Sequence, residues 1–158
     1  MKSIEQQIRA MALQWPGFRI VEQFDRGASW EGVLAPDKRE YLIRVQYRVP
    51  LAIENVSLLN AQPRVRVIHP TLERHPDYEE GPIPHVYKST ADPSILYLCL
   101  FSPSDQEWSC DDLIAHTTIF WAAEWLYFYE GWLVTKKWRG GGRHLMRTGE
   151  GVKRLETV

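Results

Sequence analysis

Two thiols and a few histidines are the side chains in this sequence whose types suit covalent chemistry. Cys99 lies in the apolar run Ile95, Leu96, Tyr97, Leu98, Cys99, Leu100 and Phe101, between a proline-bearing irregular segment and the turn formers Ser102, Pro103, Ser104 and Asp105. A cysteine acts as nucleophile or acyl carrier through its thiolate, which asks for partial exposure and a lowered pKa, whereas a core cysteine behaves as a small hydrophobe. Leu98 and Leu100 favour the core role and the flanking surface loops favour the reactive one, so the residues alone leave both open. Cys110 is the competitor. Placed in the first turn of a helix that starts at Ser109, it would feel unpaired amides and the positive end of the helix dipole, but Asp111 and Asp112 oppose a thiolate there. His85, in Pro84-His85-Val86-Tyr87, precedes Cys99 and could orient a reacting carbonyl or partner the thiol, although a lone histidine is commonly structural.

Other chemistries find less support. Five histidines and two cysteines contain no Cys-x-x-Cys or His-Glu-x-x-His spacing, so neither a structural nor a catalytic metal is expected. Gly140-Gly141-Gly142 follows a predicted helix, whereas a phosphate loop follows a strand and opens a helix, so these glycines are expected to form a flexible corner. An independent cysteine hydrolase needs a histidine beside the thiol. His85 and His144 are the candidates, and the sequence does not place either within reach.

The elements that must position these groups follow from hydrophobic period. Ile4, Ile8, Met11 and Ala12 recur at helical spacing over residues 3–13, and Pro16-Gly17 ends the pattern. Residues 18–24, 30–34 and 41–47 alternate with period two between turn formers such as Asp25, Gly27, Pro36 and Asp37, and residues 64–70 alternate again. Four strands joined in this order predict an antiparallel meander, because the turns linking the first three are short. Residues 71–94 hold Pro76, Pro82, Pro84 and Pro93 and predict an irregular surface segment, the kind that often carries function. The run 95–101 predicts a brief buried strand with its thiol in the middle. A long helix capped by Ser109 is predicted through Trp121, Trp125, Phe128 and Trp132 to about Lys137, its tryptophans packing in the core and any exposed remainder marking a protein interface. The class is α+β, with residues 1–147 forming one domain and 148–158 a flexible tail.

Composition bounds the partners. With 44% hydrophobic and 25% charged residues in a chain of 158, one ordinary core is expected. A net charge of -1 gives no global attraction to nucleic acid or to an anionic membrane. Residues 113–134 are long enough to span a bilayer but are interrupted by His116, Glu124 and Glu130, so no membrane partner is expected. Residues 1–7 are too polar for a secretion signal, which points to the cytoplasm, where both cysteines stay reduced.

In this order, the N-terminal helix, the meander, the histidine-bearing loop, Leu98-Cys99-Leu100 and Trp108 resemble the ubiquitin-conjugating (UBC-like) fold. In that family a His-Pro-Asn segment precedes an Ile-Cys-Leu segment, and a tryptophan follows. Pro84-His85-Val86-Tyr87, Leu98-Cys99-Leu100-Phe101, Glu107-Trp108, the run from Trp121 to Leu126 and the run from Trp138 to His144 are similar to prokaryotic conjugating-like proteins. Those occur in cyclic-oligonucleotide-based anti-phage signalling (CBASS) operons beside a cGAS-like nucleotidyltransferase. The resemblance implies a UBC-like domain with a catalytic-cysteine loop, in which Cys99 is the acyl carrier and His85 a subsidiary candidate. It implies no cofactor. The C-terminus of the nucleotidyltransferase, of a ubiquitin-like protein, or of each would be carried as a thioester and passed to a lysine of a target. The sequence departs from the family in lacking the asparagine of His-Pro-Asn, which leaves open what stabilises the oxyanion. The alternative is a UBC-like interaction module without turnover.

Overall fold

The computed structural model describes residues 1–54, 56, 60–102 and 107–140, together with the backbone of the two strands at 144–148 and 151–155. Helix α1, Ile4–Gln14, begins with a capping box. The Ser3 hydroxyl accepts from the Gln6 amide, and the Gln6 side chain accepts from the Ser3 amide at 2.9 Å. Its buried stripe is Ile4, Gln7 and Met11. Gln7 is a polar residue with no exposure, and both ends of its amide are used. Nε2 donates to the Asp112 carbonyl at 2.8 Å, and Oε1 accepts from the Ile114 amide at 2.9 Å. A side chain thus clasps α1 to a segment more than 100 positions away.

Four strands follow in chain order as one antiparallel sheet: β1 Arg19–Phe24, β2 Gly27–Leu34, β3 Tyr41–Arg48 and β4 Arg64–His69. Strand β3 shows why the register is fixed. Tyr41, Ile43, Val45 and Tyr47 are buried while their neighbours are not, so a slip of one residue would turn the whole core face to water. Val45 pairs with Trp30 on one side and Val65 on the other, building the apolar layer of the sheet. At Gly32 a Cβ would lie 2.4 Å from the Phe18 ring, so the bare backbone is what lets Phe18 lie against the strand. The expected meander is present. The connection between β3 and β4 lies partly outside the described residues.

Helix α2, Thr118–Thr135, covers the sheet with Ile119, Ala122, Leu126 and Trp132 fully buried. It starts eight residues later than the Ser109 cap implies. Ser109 and Asp112 instead close a local turn, the Ser109 amide donating to Asp112 Oδ2 at 2.7 Å and its hydroxyl to the same oxygen at 3.1 Å. The chain then passes through a 3-10 turn, Ile114–His116, before α2 begins. The helix also ends before the glycines. Lys136 adopts a left-handed conformation, φ 62°, and its amide donates to the Trp132 carbonyl at 2.8 Å, closing the C-terminus.

The brief strand expected within 95–101 is present, but its hairpin partner escaped the sequence pattern. Strand β5, Val86–Lys88, pairs antiparallel with β6, Leu96–Leu98. Past Gly140, the backbone of β7, His144–Thr148, pairs with β8, Gly151–Leu155, where an irregular tail is expected from the sequence. Residues 141–143, residues 103–106 with most of the turn expected at 102–105, and residues 149, 150 and 156–158 lie outside the described residues.

Replacing Gln7 by Leu keeps the volume but leaves the Asp112 carbonyl and the Ile114 amide buried without partners, at a cost of about 2–4 kcal/mol. Thermal unfolding should move down by roughly 5–15 °C. A shift under about 2 °C would show that the clasp is not a stability element.

Candidate functional site

The hairpin sets the geometry of the thiol. Val86 pairs with Leu98 and Tyr87 with Tyr97, and the Cys99 amide donates to the His85 carbonyl at 2.8 Å, which carries the ladder one pair beyond β6. Cys99 therefore sits just past the end of its strand and not in the middle of one. The even-numbered side chains of the hairpin, Val86, Leu96 and Leu98, face the hydrophobic core with Leu100, whereas Tyr87, Tyr97 and Cys99 take the other face. Tyr97 is only 8% exposed yet stands outside the core cluster. The Arg64 guanidinium lies 5.3 Å over its ring, and the Tyr87 ring is 5.5 Å away.

Cys99 is half-buried, with its Sγ 4.0 Å from the Phe101 carbonyl oxygen, a weak S–H···O contact. Burial, and after it the Glu107 carboxylate, push the thiol up to about 11. Glu107 is held in place by the Ser102 amide, which donates to it at 2.6 Å. This is opposite to the lowered pKa that a self-activated thiolate requires. At neutral pH only on the order of one thiol in a thousand or fewer is ionised.

His85 serves this site through its backbone. The residue is in the left-handed region, φ 46°, and its carbonyl accepts both the Cys99 amide and the Trp125 indole N–H, the latter at 3.1 Å. Its ring is buried, with Nε2 2.7 Å from Glu80 Oε2 and the Trp138 ring centroid 5.0 Å away. Two further aromatic residues of α2 fix the irregular segment that leads here. The Tyr129 hydroxyl accepts from the Glu73 amide at 2.7 Å, and the Trp132 indole donates to the Glu79 carbonyl at 2.7 Å.

The other candidates fall elsewhere. Cys110 belongs to the turn at Ser109, its carbonyl accepting from the Lys2 amide at 2.7 Å. It precedes α2 and so receives none of the dipole stabilisation expected for it. A Cβ on Gly140 would lie 2.8 Å from the Phe128 ring and 2.9 Å from Trp138, so this glycine is where the chain passes close over two aromatic rings. The His144 side chain lies outside the described residues. Trp125 and Trp132 are core residues as expected, while Phe120, Tyr127 and Val134 of α2 are exposed. No helix of the described residues is long and apolar enough to cross a membrane, and no cluster of three or more His, Cys, Asp or Glu among them is arranged to hold a metal ion.

Sequence reasoning did not single out Tyr87, Tyr97, Arg64 or Glu107. A weak signal existed in the tyrosines at matching distances from the centre of a two-stranded turn, but strands of three residues are too short for alternation to reveal them.

Fold and site together define an α+β domain that presents a half-buried cysteine at the end of a β-hairpin, anchored to a long aromatic helix. The chain belongs to the E2-CBASS family, the Type II CBASS E2 proteins, whose model matches residues 7–145. It is therefore an E2-like protein of CBASS, a setting that implies interaction with other CBASS proteins. A search of curated proteins finds no match.

With burial and Glu107 both opposing ionisation, iodoacetamide labelling of Cys99, located by peptide mass spectrometry, should climb about tenfold per pH unit from 7.5 to 10. Glu107→Gln should raise labelling severalfold at pH 8. A plateau below pH 9 would contradict this account of the thiol.

Proposed function

We propose that Cys99 carries the C-terminal acyl group of a partner protein as a thioester and passes it to a lysine amine. The observation that carries this reading is the placement of Cys99 beyond a hairpin end, off the core face, in a chain of the E2-CBASS family. In this reading the arrangement of α1, the four-stranded meander, the cysteine-bearing hairpin and α2 is a UBC-like fold. The thiol adds to an activated carboxyl carbon of the partner, the leaving group departs with the proton of the thiol, and a C–S bond is formed. A lysine nitrogen then adds to the same carbon, the C–S bond breaks, and the sulfur recovers a proton from the amine. Sulfur leaves readily, so the second step needs no further activation.

The partner that supplies the acyl group is, in this reading, a cGAS-like nucleotidyltransferase of the same operon or a ubiquitin-like protein. The charge near the site suits the acceptor better than the nucleophile. Glu107 disfavours a thiolate but attracts a lysine ammonium to the place where it must lose its proton. His85 acts as a positioning residue, because its carbonyl fixes the Cys99 backbone while its ring is engaged by Glu80 and Trp138.

One observation favours a second reading, an interaction module without turnover. The Cys99 thiol is held protonated, as it would be in a domain that only binds.

Mixing the chain with the operon's nucleotidyltransferase and running a non-reducing gel separates the two. The carrier reading expects a covalent adduct that a reductant removes, lost in Cys99→Ala and kept in Cys110→Ala. A stable complex with no covalent species would favour the module.

A further inference from the structure

A carrier of this kind passes twice through a tetrahedral intermediate whose oxygen bears negative charge, and the sequence lacks the asparagine that serves the ubiquitin-conjugating family there. Two donors that meet beside Cys99 are already committed. The Cys99 amide and the Trp125 indole N–H both bond the His85 carbonyl. The nearest charged group to affect the thiol, Glu107, has the wrong sign to help an oxyanion.

Tyr87 remains. Its partner across the hairpin is Tyr97, two residues before Cys99, so Tyr87 and Cys99 are diagonal neighbours on the face turned away from the core. At that spacing long side chains reach one another. The ring is steadied by Tyr97 at 5.5 Å, and the residue is half-buried, with a hydroxyl that makes no hydrogen bond to any described residue. Burial, and next to it the charge of a Cys99 thiolate, raise the Tyr87 pKa, while Arg64 opposes the rise. Negative charge at the sulfur is thus felt at the phenol, which stays protonated as a donor. We infer that the Tyr87 hydroxyl donates to the oxyanion formed when Cys99 is acylated or discharged, with Arg64, stacked over Tyr97, adding positive potential to the same face.

The inference rests on the thioester reading for its biological meaning, but its chemistry can be tested without a partner. Acylation of Cys99 by p-nitrophenyl acetate passes through a tetrahedral oxyanion: the sulfur adds to the ester carbon, p-nitrophenolate leaves, and the thiol proton goes to solvent. Alkylation of the same sulfur by iodoacetamide is a direct displacement and forms no oxyanion. Both rates are measured at pH 9 on the full chain, with modification at Cys99 quantified by mass spectrometry.

Tyr87→Phe keeps the ring contact with Tyr97 and removes only the donor. It should slow acylation about 10- to 100-fold while leaving alkylation within about twofold, and Tyr97→Phe should change neither rate by more than about twofold. Unchanged acylation in Tyr87→Phe, or an equal loss in both reactions, would overturn the assignment. So would a selective acylation loss in Tyr97→Phe alone. Selective loss in Tyr87→Phe together with no thiol-labile adduct from the nucleotidyltransferase would keep the donor and reject the carrier reading. Adduct formation by the wild type with unaltered acylation in Tyr87→Phe would do the reverse.

Discussion

The segment between β4 and β5 contains almost no regular structure, so beyond a few turns of its own its amides and carbonyls depend on partners from other elements. Helix α2 supplies them from the polar tips of three aromatic residues on consecutive turns. Trp125 binds the His85 carbonyl, Tyr129 binds the Glu73 amide, and Trp132 binds the Glu79 carbonyl. The same side chains fill the space between helix and sheet, so one set of residues both builds the core and shapes the loop. Trp138 and Glu80 then close over the His85 ring. Cys99 hangs from the far end of this chain of contacts through its own amide, and its position depends on all of them.

That arrangement explains which parts of the molecule could be foreseen. The meander and α1 were legible because their residues obey a local period, with Tyr41, Ile43, Val45 and Tyr47 alternating over a whole strand and Ile4, Ile8 and Met11 recurring along the helix. The start of α2 was not, since Ser109 has the chemistry of a cap but spends it on Asp112 in a local turn. Nor was β5, which is too short to show a period, although a strand within 95–101 was expected, nor the strand pairing beyond His144. The role of His85 was invisible for another reason. The part of the residue that matters is a carbonyl, which every residue has, made useful by a left-handed kink that the side chain does not announce.

The thiol shows the widest gap between composition and behaviour. Leu98 and Leu100 flank it in sequence, but they belong to the other face of the hairpin, so the apolar run says little about what the sulfur meets. What sets its chemistry is burial and the carboxylate of Glu107, eight positions further along the sequence. Membership of the E2-CBASS family implies interaction with other CBASS proteins, and the exposed Phe120, Tyr127 and Val134 of α2 leave apolar surface at which proteins can meet.

A thiol kept protonated also has a consequence for redox chemistry. Peroxides attack thiolates, so the ladder from sulfenic to sulfonic acid is entered at a rate set by the ionised fraction. Cysteines tuned for low pKa react with such oxidants and need enzymes to restore them. Cys99, whose thiol burial pushes up to about 11, offers such oxidants little thiolate to attack.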